Sequence, residues 1–470
     1  YKRQVITDPH EITNVMGTDG IDYMFQATEG LPIDVRFMLP SCVPATPMDE
    51  SGANLDYRAI DSFYDYPRVQ GLAEMMNSYG VIHNDAEVVS KIVASQAHHK
   101  KIDGHAPGLQ GKDLDTYVAA GVYSDHECAT MEDALAKLER GQFIMIREGT
   151  AARNLEALAP LLCDKYVERC MFCTDDKHPS DLLEKGHIDY IAREAINKYG
   201  VDPIIAVKAA CHHASRYFLL NNRGAIAPGY LADFAVIDNF KDFNVEMVFK
   251  KGVLYWNNGE LRDFEAPKIE EYLDKRAHDT FHVSTLTPDD FRDTRQRGVL
   301  GMVPGEIITT DNGYADHVDL EKDILKIAVV ERHKGTHHIG LGYIQGYGLK
   351  SGAVATSISH DSHNIIVVGT NSADMAFAAN YIVEHHGGIV VVENGTVKGS
   401  VVLEIAGIMS DRPLTEVNDQ LEAAKDAAFT LGVSRGIDPF MTLSFMALPV
   451  IPKLRITTRG VVDVDTQQYV

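Results

Sequence analysis

Acidic and histidine side chains recur at the ends of short apolar runs in the first half of the sequence. Glu74, His105, His126, Glu148 and Asp175 each lie at the end of such a run. Carboxylates and imidazoles are ligands for Mn, Fe and Zn, and two divalent metals about 3.5–4 Å apart can ionise a water and polarise the group that it attacks. A free carboxylate beside them can move the proton to the leaving group. Each residue alone could be a hydrogen-bonded polar group at a strand end, but together they predict a metal-dependent hydrolytic site.

These residues require elements that bring successive strand ends together. Seven runs before residue 222 have strand composition, and helical periodicity fills the gaps at 85–97, 131–140 and 188–199. The predicted strands are 5–8, 34–39, 69–75, 101–103, 121–123, 142–146 and 169–173. Alternating strands and helices imply a parallel sheet, and eight such units close a (β/α)8 barrel with its functional residues at the carboxyl ends of the strands. An open doubly wound sheet is the alternative, but it does not explain a polar cluster at each strand end.

The sequence pattern changes after residue 222 and again near residue 325. Short β runs with glycine turns come first, then a charged and poorly periodic stretch, then short strands and two helices near 373–384 and 415–431. Asn394-Gly395 predicts a hairpin between two of these strands. We therefore predict an α/β protein in which residues 1–222 form strands 2–8 of the barrel and residues 223–263 form a small β domain, the C-terminal half of a β-sandwich. Residues 264–325 are predicted as a connecting region and 326–470 as a C-terminal α/β domain.

Composition narrows the class of partner. The chain has 470 residues, enough for about three domains. Its 67 acidic residues against 44 basic residues give a net charge of −23, which argues against binding of nucleic acid or of an anionic membrane. The apolar stretches fall short of the roughly 20 residues that a membrane helix needs, and 6 cysteines do not make a disulfide scaffold. We predict a cytoplasmic protein that acts on a small molecule, with no nucleic-acid or membrane partner.

Long motifs follow the predicted strands in order. They are Asp8-Pro-His-Glu-Ile, Met38-Leu-Pro-Ser-Cys-Val-Pro-Ala-Thr-Pro47, Gly71-Leu-Ala-Glu-Met-Met-Asn77, Asp103-Gly-His-Ala-Pro-Gly108, Ser124-Asp-His-Glu127, Ile146-Arg-Glu-Gly149 and Cys173-Thr-Asp-Asp176. Two further motifs, at 357–369 and 438–445, lie in the C-terminal region. Together the motifs resemble those of the bacterial adenine deaminases of the amidohydrolase superfamily, and the resemblance covers essentially the whole chain.

The resemblance implies hydrolytic deamination of adenine to hypoxanthine and ammonia by a metal-activated hydroxide, as a step of purine salvage. It implies the fold of a metal-dependent hydrolase and a centre of two divalent metal ions, Mn or Fe, with Zn as an alternative. Glu74 would bridge the metals, and His105 and His126 would bind the second one. Asp175 would touch the first metal and carry the proton, while His126 or a metal would stabilise the developing charge. The neighbouring Asp176 is the alternative proton carrier, but Asp175 follows a threonine directly, as the superfamily's aspartate does.

Other polar residues of the motifs have open roles. Arg147 and Glu148 could hydrogen-bond the purine edge or pair with each other, and Asp176 and His178 could shape the substrate pocket. An extra metal or pocket site is a second hypothesis for His10, Glu11, His360 and His363, against ordinary loop hydrogen bonding. For the whole protein we expect a homo-oligomer, most simply a dimer.

One departure from the superfamily pattern leaves two alternatives open. The superfamily carries a His-x-His pair at the end of its first strand, and this sequence contains no such pair. We expect the pair and the first barrel strand to lie upstream of Tyr1. If they do not exist, a non-catalytic metal-binding relative is the alternative. A cyclic-amide hydrolase of the same superfamily is the second alternative, disfavoured because Glu74 stands where that group usually has a lysine.

Overall fold

The computed structural model of the protein describes residues 4–150, 152–293, 295–303 and 306–470, which divide into two compact units. The N-terminal unit comprises Tyr1–Pro9, Phe25–Ser41 and Asp56–Lys268. The C-terminal unit comprises His10–Met24, Cys42–Leu55 and Ile269–Val470. Two short segments from the first sixty residues therefore belong to the C-terminal unit.

The strands and helices have the following bounds. The strands are β1 (Gln4–Thr7), β2 (Asp34–Leu39), β3 (Val69–Met75), β4 (Lys101–Gly104), β5 (Ser124–Asp125), β6 (Phe143–Arg147), β7 (Cys170–Cys173), β8 (Phe234–Ile237), β9 (Val245–Lys250), β10 (Val253–Asn257), β11 (Glu260–Leu261), β12 (Arg297–Met302), β13 (Thr309–Ala315), β14 (Ile324–Val330), β15 (Ile339–Gln345), β16 (Ala353–Thr356), β17 (Ile365–Gly369), β18 (Gly388–Glu393), β19 (Thr396–Val402), β20 (Leu454–Thr457), β21 (Gly460–Asp463) and β22 (Gln468–Tyr469). The α-helices are α1 (His10–Met16), α2 (Thr18–Ala27), α3 (Tyr57–Asp61), α4 (Ser78–Ile82), α5 (Ala86–Ala97), α6 (Gly111–Ala119), α7 (Met131–Glu139), α8 (Leu155–Leu158), α9 (Pro179–Glu184), α10 (Ile188–Asn197), α11 (Pro203–Val207), α12 (Ala214–Tyr217), α13 (Glu271–His278), α14 (Ser372–Glu384), α15 (Leu414–Thr430) and α16 (Met441–Ser444). None of the helices in the described part of the chain combines the length and the apolar character that crossing a membrane requires.

Parallel strands in sequence order form the main sheet of the N-terminal unit. Strands β1 to β4 pair in that order, as do β5 to β7. The two groups adjoin, because the N–H of Tyr123 donates to the carbonyl of Ile102 at 2.9 Å. The seven predicted strands are therefore found, but the fifth lies at Ser124–Asp125 rather than at 121–123. Gly121, at φ 96°, makes the turn that ends α6 and delays this strand.

Side chains alternate between the two faces of this sheet. Ile144 and Ile146 pack with the residues of α7, α8 and α10 in one buried cluster. Met145 and Met171 belong to a second cluster that contains Met38. Because successive residues of a strand point to opposite faces, the first cluster lies under the helices and the second lies on the inner face. Functional side chains in register with Met145 therefore also face inward.

An antiparallel sheet of β8 to β11 follows within the same unit, in the order β11-β10-β9-β8. It corresponds to the β runs predicted after residue 222. Lys250 and Asp233 form an ion pair of 2.9 Å beneath it.

The C-terminal unit contains an eight-stranded sheet in the order β13-β12-β15-β14-β17-β16-β18-β19. Both of its faces are buried. Ile366 and Val368 pack with residues of α15 in one cluster, whereas Ile365 and Val367 pack with residues of α14 in the other. The predicted helices and the Asn394-Gly395 hairpin between β18 and β19 are confirmed. Strands β12 and β13 lie within the stretch of weak periodicity and pair in this sheet.

Candidate metal centre

Period-two alternation places four functional side chains on the inner face of the parallel sheet. Each lies two residues after a side chain that points inward, so each continues that face beyond the end of its strand. The pairs are Asp103 and His105, Ser124 and His126, Met145 and Arg147, and Cys173 and Asp175. The inward direction is fixed by contacts: Ser124 Oγ donates to Asp103 Oδ1 at 3.0 Å, and Tyr217 Oη donates to the same oxygen at 2.5 Å.

Glu74 reaches the same face by a different route. It follows the inward Ala73 directly, so a regular strand would turn it outward. The pairing register between β3 and β4 is irregular between Leu72 and Met75. Such an irregularity re-aims a side chain and is common beside functional sites. The hydroxyl of Ser41 also donates to the Glu74 carbonyl, which holds this part of the backbone.

The centre of the site is one carboxylate oxygen between two imidazoles. Glu74 Oε2 lies 2.9 Å from His105 Nδ1 and 3.1 Å from His126 Nε2. The two rings stand at 70° with centroids 5.4 Å apart. The side chains of His105, His126 and Glu74 are mostly buried, with 8%, 14% and 20% exposed. The two histidines therefore present different ring nitrogens to the same point.

Electrostatics keep this carboxylate ionised. Burial favours the neutral form of Glu74, but the charge of His126 and the hydrogen bonds of both histidines outweigh it, so the pKa of Glu74 lies well below its usual value. Burial likewise opposes a charge on His126, but Glu74 and Glu127 outweigh it and raise the pKa of His126 well above the usual value. The two carboxylates therefore favour positive charge at the imidazoles, which a proton or a divalent cation can supply.

A second carboxylate, Glu127, joins the cluster. Its Oε1 lies 3.2 Å from His126 Nε2 and 3.5 Å from His105 Nδ1, and its Oε2 accepts from Arg147 Nη2 at 2.9 Å. Arg147 Nη1 contacts both Glu127 and Asp175. Glu127 was not among the site residues predicted from the sequence. Its position directly after His126, within one of the motifs and just beyond a strand, could have indicated that it lies in the site.

A buried ion pair fixes the loops that carry the two histidines. Asp125 accepts from the N–H groups of Ala106 at 2.8 Å and Glu127 at 2.9 Å, so it ties the loop after His105 to the loop after His126. Lys137, fully buried, donates to Asp125 at 3.0 Å and to the Ala106 carbonyl at 2.8 Å. The ammonium compensates the charge that the buried carboxylate would otherwise hold alone.

Two neutral side chains complete the support. Asn154 accepts from the Arg147 N–H at 2.8 Å and donates to the carbonyls of His126 at 3.1 Å and Cys128 at 3.0 Å. Tyr117 Oη accepts from the His105 N–H at 2.9 Å and donates to the Met75 carbonyl at 2.8 Å. The ends of four successive strands, β3 to β6, are thus cross-linked by buried hydrogen bonds, which restricts the site geometry.

Three of the predicted site residues lie beside the cluster rather than in it. Glu148 accepts from the Leu155 N–H at 3.2 Å at the start of α8, and burial raises its pKa. Asp176 donates its backbone N–H to Asp175 Oδ1 at 2.8 Å. The N–H of His178 donates to Thr150 Oγ1 at 2.8 Å at the start of α9.

The four residues predicted as an extra site are brought together within the C-terminal unit. Glu11 lies 3.0 Å from His360 Nδ1 and 3.2 Å from His10 Nε2, and it also contacts His363 Nε2. This group contains the same donor types as the cluster around Glu74.

The cluster around Glu74 fits a divalent transition metal. One donor atom each from Glu74, His105 and His126 lie within 4.8 Å of one another, as do donors from His126, Glu127 and Asp175. Ligand bonds of about 2.0–2.2 Å place neighbouring donors about 3–3.5 Å apart, which matches the distances around Glu74 Oε2. Mixed imidazole and carboxylate donors suit Mn, Fe or Zn.

Comparison with known proteins covers both units. Residues 3–255 match the Amidohydrolase family, and residues 306–468 match the Adenine deaminase C-terminal domain. Adenine deaminase from Desulfatibacillum aliphaticivorans is 45% identical over 474 residues, which is 99% of this chain and 82% of that protein. Adenine deaminase from Nitratidesulfovibrio vulgaris (strain DP4) is 45% identical over 479 residues, with the same two coverages of 99% and 82%. Among solved structures, beta-aspartyl dipeptidase from Fervidobacterium islandicum AW-1 is similar over 56% of this chain and 76% of that one, with 16% identity and a TM-score of 0.41.

Proposed function

The chain belongs to the adenine deaminases of the amidohydrolase family, and from this membership we propose that Glu74, His105 and His126 hold the metal at which adenine is hydrolysed. The protein is a hydrolase of C–N bonds that deaminates adenine and uses a divalent metal cofactor. Its substrate is a small molecule, adenine. The products of the hydrolysis are hypoxanthine and ammonia.

One observation supports this placement of the metal above the others. A single oxygen of Glu74 lies at 2.9 and 3.1 Å from nitrogens of two histidines that come from successive strand ends. A bound divalent metal supplies a water of lowered pKa and a Lewis acid beside it. Glu74 is held as a carboxylate before any cation arrives, so the residues already favour positive charge at this point.

Asp175 is proposed as the group that moves the proton. Its carboxylate projects from the end of β7 and is 29% exposed. One of its oxygens lies within 4.8 Å of a potential ligand atom of His126 and of Glu127. It can accept the proton that leaves the attacking water and deliver it to N1 of the purine or to the departing amine. Arg147 contacts one oxygen of Asp175, and the Asp176 N–H donates to the other, so the carboxylate is oriented from both sides.

The adenine pocket is proposed to involve the side chains around this carboxylate. Arg147 donates a hydrogen bond to Glu127, and Glu148 is the residue directly after Arg147 in the chain. Asp176 and His178 lie in the loop that leaves β7. We propose that Glu148, Asp176 and His178 line the purine, with Arg147 as the residue that positions Asp175.

Finer features of the family are part of the proposal. We propose two metal ions, Mn or Fe before Zn, which Glu74, His105, His126 and Asp175 would hold. Strands β1 to β7 would belong to a (β/α)8 barrel, and β8 to β11 to a small β-sandwich. We propose a cytoplasmic homodimer that acts in purine salvage.

Ammonia release from adenine tests the placement of the metal. The purified protein is stripped with a chelator, reloaded with Mn²⁺ and assayed with adenine, adenosine and dihydrouracil. We expect turnover of adenine that depends on added metal and falls at least about 100-fold in Glu74→Gln, because the carboxylate charge is lost. The matched control is Glu139→Gln. It replaces an exposed carboxylate at the end of α7 with a carboxamide and should leave turnover unchanged.

Two outcomes would contradict the proposal. Full activity in Glu74→Gln would remove this residue from the metal site. Turnover of dihydrouracil in place of adenine would assign the site to cyclic-amide hydrolysis.

A further inference from the structure

A second cluster of metal-ligand type lies in the C-terminal unit, and its residues are not among those proposed above for the deamination. Glu11 lies in the first turn of α1, and His360 and His363 lie in the short loop between β16 and β17. Glu11 Oε1 is 3.0 Å from His360 Nδ1, and Glu11 Oε2 contacts His363 Nε2. One donor atom from each of the three residues lies within 4.8 Å of the other two.

Two more ligand-type side chains adjoin this cluster. His10 Nε2 lies 3.2 Å from Glu11 Oε1 and 3.9 Å from Asp361 Oδ1. Asp361 Oδ1 is also 3.8 Å from His360 Nδ1. The exposed fractions are 8% for His360, 1% for His363 and 2% for Asp361. The side chains of His10 and Glu11 are 12% and 27% exposed. Three imidazoles and two carboxylates therefore converge on a site that is mostly buried, with Glu11 partly exposed.

The loop that carries the two histidines is held in place by other parts of the same unit. The N–H of His360 donates to the Ser444 carbonyl at 3.1 Å, and Ser362 Oγ donates to Asp49 at 3.0 Å. Asn364 Nδ2 donates to the Glu50 carbonyl at 2.6 Å. His363 adopts φ 54°, a conformation that residues other than glycine seldom take. The surrounding contacts thus maintain a backbone that presents both rings to Glu11.

From this arrangement we propose that Glu11, His360 and His363 bind a divalent transition metal, with His10 and Asp361 as neighbouring donors. The residues are different from those of the centre around Glu74. Two imidazoles and a carboxylate, buried and set on rigid elements, are a donor set that Zn²⁺, Mn²⁺ and Fe²⁺ take. The metal would join α1 to a loop that lies about 350 residues later in the chain, and would thereby stabilise the C-terminal unit.

Metal uptake requires a proton to move on His363. In the structure the Ser359 N–H donates to His363 Nδ1 at 3.2 Å, so Nε2 carries the proton that faces Glu11. Binding through Nε2 needs this proton on Nδ1 instead. The hydroxyl of Ser359 is buried and has no hydrogen-bond partner within the described ranges, and we infer that it accepts Nδ1–H once metal is bound. The proton of His363 is thereby moved from Nε2 to Nδ1, with no net release from a neutral imidazole.

Metal content is the direct test. The double variant His105→Ala/His126→Ala removes the imidazoles of the other centre, and after chelation and equilibration with Zn²⁺ it should retain about one Zn²⁺ per chain. Adding His360→Ala and His363→Ala should remove that ion. An absence of bound Zn²⁺ in the double variant, or its persistence after the second pair of changes, would overturn the proposal.

A milder variant guards against a failure to fold. Glu11→Gln keeps the size of the side chain, and we expect it to weaken Zn²⁺ binding at least tenfold with an unchanged circular dichroism spectrum. In the wild-type protein, Zn²⁺ at about 100 times its Kd should raise the unfolding temperature of the C-terminal unit by about 5–10 °C. His317→Ala, which removes an exposed histidine of the same unit, is the control and should retain the full shift.

The two proposals can fail separately. Loss of deamination with Zn²⁺ still bound in the His105→Ala/His126→Ala protein would support both proposals. Loss of deamination together with loss of Zn²⁺ would support the centre around Glu74 and overturn the site around Glu11. A wild-type protein that shows adenine turnover but no Zn²⁺-dependent rise in unfolding temperature would refute this site alone.

Discussion

The two clusters around Glu74 and Glu11 share their chemistry but differ in how the fold assembles them. In the N-terminal unit, the donors come from three consecutive strand ends, one from each. In the C-terminal unit, two donors come from the loop between β16 and β17 and the third from a helix far away in the sequence. Strand ends of a parallel sheet leave room for further residues from the neighbouring strands, whereas a loop and a helix enclose their site directly.

The surroundings of the two clusters differ accordingly. Beside Glu74, the carboxylates of Glu127 and Asp175 and the guanidinium of Arg147 form a chain of charged groups that ends at a partly exposed oxygen. Beside Glu11, which is itself 27% exposed, Asp361 is 2% exposed, and backbone hydrogen bonds to Ser444 and Ser359 hold the loop that carries the two histidines. Catalytic metal sites keep an open position, and structural sites are closed by protein ligands. We infer that similar donor sets serve chemistry in one unit and stability in the other.

Removal of the proton carrier should give the largest effect. Asp175→Asn keeps the shape of the side chain but cannot accept the proton, so we expect kcat for adenine to fall about 10²–10⁴-fold. The unfolding temperature and the metal content should stay near those of the wild-type protein. Steady-state ammonia release at saturating adenine, together with metal analysis, measures both.

The neighbouring aspartate is the matched control for this change. Asp176→Asn alters the same loop, and because Arg147 orients Asp175, the proposed proton carrier, we expect Asp176→Asn to lower kcat by less than about tenfold. If Asp176→Asn lowered kcat more than Asp175→Asn did, the proton would be carried by Asp176, and the role proposed for Asp175 would be wrong.

Loss of the buried cation beneath the first cluster comes next in size. Lys137→Met leaves Asp125 and Asp133 buried without their ammonium partner, to which they lie at 3.0 and 3.1 Å. We expect the free energy of unfolding of the N-terminal unit to fall by about 3–5 kcal/mol. Urea unfolding followed by a probe in each unit should show this loss in the N-terminal unit alone. Lys112→Met, at an exposed position of α6, should change stability by less than about 0.5 kcal/mol.

Much of the parallel sheet could be predicted because its rules are local. Apolar runs and the polar residue at each end located β3, β6 and β7, and helical periodicity located α5. The residues of the first cluster were also predictable, since strand ends of a parallel sheet meet at one edge. Their inward direction follows from period-two alternation, which fails only at Glu74, where the register is irregular.

Other features depended on contacts that the sequence does not reveal. Glu127 was missed because a two-residue strand gives no period from which its direction can be predicted. Strands β12 and β13 were missed because their glycines and polar residues resemble a linker until β12 pairs with β15 and β13 pairs with β12. The meeting of Glu11 with His360 joins positions about 350 apart, and nothing in local periodicity encodes such a pairing.

The carboxylates next to the two clusters should give their units opposite responses to pH. The pKa of Glu127 is lowered, because His105 and Arg147 outweigh its burial, so its contribution to stability is lost as the pH falls below its unfolded value. Burial raises the pKa of Asp49 from 3.8 to about 7, so the C-terminal unit should lose stability as the pH rises through that interval, by at most about 4 kcal/mol. Asp49→Asn keeps the acceptor for Ser362 and should abolish this loss between pH 5 and pH 8 in unfolding experiments. Asp426→Asn, on the exposed face of α15, should leave it in place.

The smallest expected effect is also the most specific to the second cluster. Ser359→Ala removes the hydroxyl that we expect to accept the proton on His363 Nδ1 when Nε2 binds metal. Because supporting hydrogen bonds of metal-bound histidines change affinity about 10–100-fold, the Kd for Zn²⁺ should rise by that factor in a calorimetric titration of the His105→Ala/His126→Ala protein. Without metal, the variant should be about as stable as its parent, since the lost hydroxyl has no partner among the described residues. Ser372→Ala, at the start of α14, should leave the Kd unchanged, and an unchanged Kd in Ser359→Ala as well would mean that His363 is not a ligand through Nε2.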